Sequence, residues 1–320
     1  MKTRTTSVGL KKLLAAPAFA IATLSAGNLS AQEKKAATES TNICQQTAAD
    51  VLVSCKAAAQ SDYQATLGKC INITDPAARK SCEKEAAADL ADALDTCKGG
   101  FEVRRESCRE LGPERYDPVI KPNNFTTTID NPYFPLFPGT TFTYLTPNGA
   151  SKDVFAVTHD TRVINGVTCV QVHDSVFTNE ILTEDTLDFF AQDKEGNVWY
   201  FGENTAEFVK GLIATIEGSF LAGVNNDKAG IIMKAQPAIG NFYRQEFSLG
   251  NAEDFAQTIG LDSRVVVPYG TFSNCLKSQE TTPLEPDALE DKYYAPGVGN
   301  VLTVDLVTGE RDELVSITTE

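Results

Sequence analysis

Six cysteines between Cys44 and Cys108 are set out as mirror images about a point near Pro76. Cys44 lies as far before that point as Cys108 lies after it, and the same holds for Cys55 with Cys97 and for Cys70 with Cys82. A chain that folds back on itself there brings each pair side by side. The pattern predicts an antiparallel helical hairpin closed by three nested disulfides, Cys44–Cys108, Cys55–Cys97 and Cys70–Cys82. Zinc binding is the competing use of cysteine, but these residues are too widely spaced for a zinc knuckle. Disulfides persist only in oxidising compartments, so the chain is expected outside the cytoplasm.

The residues between the cysteines support the same picture. Cys44, Ala48, Leu52, Cys55, Ala59, Tyr63, Leu67 and Cys70 recur every three or four positions, one stripe on a helix. Asp75-Pro76 supplies an N-cap and a first-turn proline for the second arm, whose stripe runs through Cys82, Ala86, Leu90, Cys97 and Phe101. Gly99-Gly100 is expected to kink or interrupt that arm. An Ala-rich seam buries little apolar area, so the crosslinks must supply much of the stability. The hairpin resembles, in architecture only, the twin-cysteine hairpins of the coiled-coil-helix type. Its outer C-x10-C motifs, Cys44 to Cys55 and Cys97 to Cys108, are one residue longer than is usual there.

Residues 1–31 read as an export signal. Lys2, Arg4, Lys11 and Lys12 form a positive head, Leu13 to Gly27 is a short apolar stretch, and Asn28-Leu29-Ser30-Ala31 offers a small-residue cleavage site. No membrane span is expected after cleavage. The formal net charge is −15, and removing those four basic residues makes the mature chain four charges more negative. Such a chain is repelled by phosphate backbones, which argues against a nucleic-acid partner. The expected location is secreted or periplasmic.

Residues 40–111 thus form the hairpin, and prolines at 113, 118 and 122 mark a linker over residues 112–122. From residue 123 to 320, β-branched and aromatic residues rise and turn signals come at short intervals. Asn165-Gly166, between two alternating runs, predicts a tight hairpin. The expected class is α+β: the stapled hairpin, then an antiparallel β-sandwich or curved half-barrel. The two remaining cysteines, Cys169 and Cys275, are expected to pair.

Several motifs of this second part resemble a widespread uncharacterised family of exported bacterial proteins. They are Asp130-Asn131-Pro132-Tyr133-Phe134-Pro135, Phe189-Phe190-Ala191-Gln192-Asp193, Gly196-Asn197-Val198-Trp199-Tyr200-Phe201, Thr282-Pro283-Leu284-Glu285-Pro286, and Lys292-Tyr293-Tyr294-Ala295 with Gly297-Val298-Gly299. The resemblance implies export and brings no activity. The last of these motifs is also similar to the closing hairpin of curved-sheet envelope proteins, apolar-ligand carriers among them.

No nucleophile elbow, zinc-protease helix or phosphate loop occurs, and no motif calls for a cofactor, a metal or a catalytic residue. Asp193 to Glu203 lacks the glycine of a calcium loop, carrying Val198 there. Simple hairpin register places His159 and His173 on opposite faces and lets Asp160 reach His173. Glu180, Glu184, Asp185 and Asp188 cluster as candidate paired carboxylates. Consecutive Trp199, Tyr200 and Phe201, with Tyr133, are the candidate lining of an apolar pocket. The stretch Gly211 to Gly223 reads as a strand pair or a flap over such a pocket.

Three functions are consistent with these features. The first is a non-enzymatic binding or interaction protein that holds a small apolar ligand or a protein partner. The second is a secreted hydrolase using carboxylates, and the third a cation-binding envelope protein.

Overall fold

The computed structural model describes residues 42–320, so the export segment expected over residues 1–31 lies outside the described residues. Two helices come first, α1 (Ile43–Cys70) and α2 (Pro76–Leu111). Asn42 caps α1 by accepting from the Gln45 amide, and Asp75 caps α2 by accepting from the Ala78 amide. Disulfides join Cys44 to Cys108, Cys55 to Cys97 and Cys70 to Cys82, with Cα separations of 5.6–5.7 Å. These separations are ordinary for a disulfide, and they hold the two helices close along their whole length.

Helix α2 runs unbroken through Gly99-Gly100, contrary to the expected interruption. The two glycines instead let the β-part come close. A Cβ on Gly100 would stand 2.2 Å from the Pro283 carbonyl oxygen, and one on Gly99 would stand 2.7 Å from the Pro286 ring. A few residues on, Arg104 makes a two-pronged pair with Glu253, at 3.0 and 2.5 Å, with both side chains buried. Arg244 lies over the rings of Tyr116, Phe247 and Phe255 and reaches the Cys44 sulfur at 3.8 Å. The root of the hairpin is therefore fastened to the sheet, whereas most residues of its far end are exposed.

After a single turn at Pro122–Asn124 the chain is all β among the described residues. The strands are β1 (Phe125–Thr126), β2 (Thr140–Leu145), β3 (Ser151–Ile164), β4 (Val167–Thr178), β5 (Ile181–Asp193), β6 (Val198–Val209), β7 (Leu212–Thr215) and β8 (Phe220–Leu221). They continue as β9 (Lys228–Met233), β10 (Phe242–Arg244), β11 (Glu246–Phe247), β12 (Phe255–Val267), β13 (Gly270–Thr281), β14 (Glu290–Ala295), β15 (Gly299–Asp305) and β16 (Arg311–Thr319). All pair antiparallel, in the order β10-β12-β13-β14-β15-β16-β2-β3-β4-β5-β6-β9-β11. The sheet curls until β10 comes beside β9, giving a nearly closed barrel. This fits the expected α+β class, and of the two expected forms it is the curved half-barrel rather than the sandwich, carried nearly to closure.

Alternation separates two cores. The inner one gathers Phe142, Val157, Val170, Val172, Phe190, Tyr200, Leu276, Tyr294 and Leu314. The outer one gathers Ile164, Val167, Cys169, Phe189 and Phe201 beneath Ile120 and Phe125. Consecutive Phe189 and Phe190 are both buried because both faces of β5 are covered there. The same separation overturns the expected Cys169–Cys275 bond. Both thiols are free and buried; Cys169 sits in the outer core on β4 and Cys275 in the inner core on β13. Five strands, β14, β15, β16, β2 and β3, stand between theirs.

A second correction concerns the hairpin of β3 and β4. The tight turn forms at Asn165-Gly166, but the register shifts between Val157 and Thr161, setting Thr158, His159 and Asp160 opposite Gln171. Asp160 is exposed on this bulge and makes no pair with His173.

Candidate functional site

The barrel holds an open-mouthed cavity of about 520 Å³, in the range of small-molecule sites. One end is closed by the segment before β2. Gln192 accepts from the Asp130 and Asn131 amides through its Oε1 and donates to the Asp130 carboxylate. Asn131 Nδ2 donates to the Gly196 and Lys234 carbonyls, and the Gly297 amide donates to the Pro132 carbonyl. Thus pinned, the segment directs Phe134, Pro135 and Leu136 at the cavity. Most of the motifs quoted for the family resemblance meet here, and they build the plug of the barrel. The Thr282–Pro286 motif instead receives helix α2.

Aromatic rings line one side. Phe190 stacks on Tyr200 at 4.9 Å, and Phe134 lies 5.5 Å from Phe190 and 6.3 Å from Tyr294. Inward positions of the strands, with Asp254 just before β12, then supply nine carboxyl groups: Asp153, Asp174, Glu184, Asp188, Glu246, Asp254, Glu280, Glu290 and Asp312. Lys292 is the one basic residue among the lining. Its Nζ bonds Glu280 at 2.8 Å and stands 3.7 Å from Glu290. Burial works against its charge, but those two carboxylates outweigh burial and hold the ammonium well above the usual lysine range. Lys292 is therefore no nucleophile at neutral pH.

The other acids have no comparable relief. Tyr200 Oη lies 2.5 Å from Asp188 Oδ1 and 2.9 Å from Glu203 Oε2. One phenolic proton cannot serve two acceptors, so the trio is best satisfied when one carboxyl is protonated. Burial first, then the charges of Asp174 and Glu203, push Asp188 far up. Burial pushes Glu203 up to about 7, although the Tyr200 hydroxyl pulls the other way. Glu246 is driven far up by burial and by Asp254, while Lys292 holds Asp254 to about 6 against its own burial. Excess negative charge in this partly desolvated wall is thus partly removed by retained protons.

The structure scatters the aromatic residues singled out in sequence. Tyr200 lines the cavity. Phe201 and Trp199 face the outer core, where Trp199 Nε1 donates to Asp193, and Tyr133 packs at the edge of the inner core. The Gly211–Gly223 segment runs as β7 and β8 along β6; none of its residues lines the cavity, though Phe220 backs Tyr200 at 5.7 Å. Of the acidic cluster, Glu184 and Asp188 point inward, Glu180 sits exposed in a turn, and Asp185 lies on the outer face. There Asp185 bonds His173 Nε2 at 2.6 Å, with Ser175 Oγ 3.3 Å from the same nitrogen. A hydrolytic triad needs its acid and its serine on different ring nitrogens, so this trio lacks the required geometry.

Asp153, Asp174, Glu246, Asp254, Glu280, Lys292, Tyr144 and Tyr294 were not visible as a site in the sequence. Their signal is carboxylates alternating in phase with the apolar inner face, as in Asp153-x-Phe155-x-Val157 and Val172-x-Asp174-x-Val176. Among the described residues, no group of three or more His, Cys, Asp or Glu is arranged to hold a metal ion.

No family model and no curated protein matches the chain. Among solved structures, it is similar to a candidate lipoprotein from Parabacteroides distasonis ATCC 8503, at 13% identity and a TM-score of 0.33, over 58% of this chain and 98% of that one. A likeness at that level carries no argument about function. The three disulfides, by contrast, indicate an oxidising, extracytoplasmic compartment. Among the described residues no helix is long and apolar enough to cross a membrane.

Proposed function

We propose that this protein is an extracytoplasmic binding protein whose barrel takes up a small organic cation, an amine carried on an apolar or aromatic body. The observation that carries the reading is the cavity's composition: nine carboxyl groups against one lysine, beside stacked aromatic rings. A neutral apolar ligand would leave those carboxyls without a counter-charge, relieved only by the protons they retain. An ammonium group relieves them, and its apolar body packs on Phe134, Phe142, Phe155, Phe190 and Tyr200. The apolar ligand expected from the aromatic motifs therefore becomes an amphipathic cation. The hairpin, fastened at its root by Arg104–Glu253 and exposed at its far end, serves as a rigid arm for a protein partner.

Calorimetric titration with 2-phenylethylamine and with its neutral analogue 2-phenylethanol tests the reading. The amine is expected to bind at pH 8 and the alcohol at least about tenfold more weakly, a difference of roughly 1.4 kcal/mol. Equal binding of the two, or none by either, rejects it. Native mass spectrometry of protein taken gently from its exported fraction identifies the ligand carried.

A further inference from the structure

The cavity's carboxyls are not equivalent. Lys292 occupies Glu280, the Tyr200 hydroxyl lies between Asp188 and Glu203, and Thr186 Oγ1 donates to Glu184. Glu290 stands 3.7 Å from the Lys292 ammonium, which leaves Glu246, Asp254, Asp312, Asp153 on β3 and Asp174 on β4. Of these, only Asp153 and Asp174 carry a solvent-excluded oxygen without a hydrogen-bond partner. Asp153 faces Val176 and Asp174 faces Phe155 across the ladder, so the two acids share the inner face on a diagonal. Each keeps its Oδ1 shut off from solvent without a hydrogen-bond partner. The two carboxyls are within hydrogen-bonding reach of one another, so a proton held between them is the donor the pair can supply for itself.

We propose that Asp153 and Asp174 form the head-group subsite of the cavity, where the ligand's ammonium replaces a proton shared by the two carboxyls.

This inference rests on the cavity being an amine site, and it adds where the charge sits and what leaves. The groups facing the pair are Tyr144 from β2, Glu184 and Asp188 from β5, Glu203 from β6, Lys292 from β14 and Asp312 from β16, with His173 behind on the opposite face of β4. Tyr144 spends its hydroxyl proton on the Asn300 carbonyl, and Lys292 is bonded to Glu280. The remaining inner-face neighbours are acids, which add repulsion. Burial and the charge of Asp174 push Asp153 strongly upward, so the pair keeps a proton at neutral pH. An incoming ammonium brings three N–H donors to the two carboxyls, and the displaced proton passes to the solvent.

Two measurements on the full chain test this. The first is infrared spectroscopy at pH 7, reading the carbonyl stretch of protonated carboxylic acids. Asp188 and Glu246 also keep protons, so the readout is the difference from the native spectrum. A component lost in both Asp153→Asn and Asp174→Asn supports the shared proton, and a band unchanged in both overturns the subsite, whether or not amines bind. The second is titration with 2-phenylethylamine in two buffers of different ionisation enthalpy. Release of about one proton per amine is expected, with affinity lowered about tenfold or more in either Asn variant. Asp185→Asn, on the outer face, is expected to bind as the native chain does. Tight amine binding with no proton released, or undiminished in both variants, leaves the cavity an amine site but removes the head group from this pair. Failure of the amine to bind overturns the cavity reading and the subsite together.

Discussion

Glu203 shows how one inward carboxyl ties stability to pH. Its folded-state value of about 7 lies above the usual glutamate value near 4.3, and the unfolded chain has no reason to share that rise. Between those two values the folded protein binds more protons than the unfolded one, so stability falls as pH rises through the window. Asp188, Asp254 and Glu246 are raised as well and act in the same direction. The melting temperature is therefore expected to fall between about pH 5 and pH 8. Glu203→Gln should flatten the slope and stabilise the protein at about pH 8 by on the order of 1–3 kcal/mol, measured by thermal or urea unfolding. A variant as pH-sensitive as the native chain would show that Glu203 ionises freely. The residue was in plain view beside Tyr200 in the sequence, but only the fold brings Asp188 to the same hydroxyl.

At the scale of elements, hairpin and barrel are held by different means. Helices α1 and α2 bury mainly cysteines and alanines, so their pairing depends on the crosslinks. Closing the shortest loop, of separation 12, contributes roughly 3 kcal/mol in the chain-entropy picture, and the nested outer bonds add less than their separate values. Reduction is expected to let the amides of α1 and α2 exchange with solvent within minutes, whereas those of β3 to β6 stay protected; equal loss in both would show one cooperative unit. Gly68 and Gly100 give a sharper contrast. Gly68→Ala finds open space on a helix and should stabilise by about 0.5–1 kcal/mol. Gly100→Ala drives a methyl into the Pro283 carbonyl and should destabilise by about 1–3 kcal/mol. Removing one partner of the buried Arg104–Glu253 pair, as in Glu253→Ala, should cost about 3–5 kcal/mol in chemical denaturation, because a guanidinium is left buried alone.

The whole molecule is a barrel with a costly interior and a covalently stapled handle. An apolar lining in place of the acidic one would favour the empty fold, so the carboxyls are held at the expense of stability, as the proposed recognition role requires. A ligand that binds only the folded state raises its stability by mass action. Saturating 2-phenylethylamine should accordingly raise the melting temperature more at about pH 8, where more carboxyls are charged, than at about pH 5. The opposite order would mean that the bound species is the protonated-wall form.

The hairpin could be read because its determinants are local or covalent: a 3.6-residue stripe, an Asp75-Pro76 start and mirror-placed cysteines. Antiparallel strands and the Asn165-Gly166 turn were legible for the same reason. What depends on distant segments was not. A bulge at Thr158–Asp160 moved Asp160 away from His173, and two cores on opposite faces of one sheet kept Cys169 from Cys275. Gly99-Gly100, a breaker by local rules, became a contact surface once Pro283 and Pro286 arrived. Alternation decides which residues of a strand share a face, but only closure of the sheet decides which faces look at one another. That is why Asp153, Asp174, Asp188, Glu280 and Lys292, drawn from five parts of the chain, became one site only in the folded barrel.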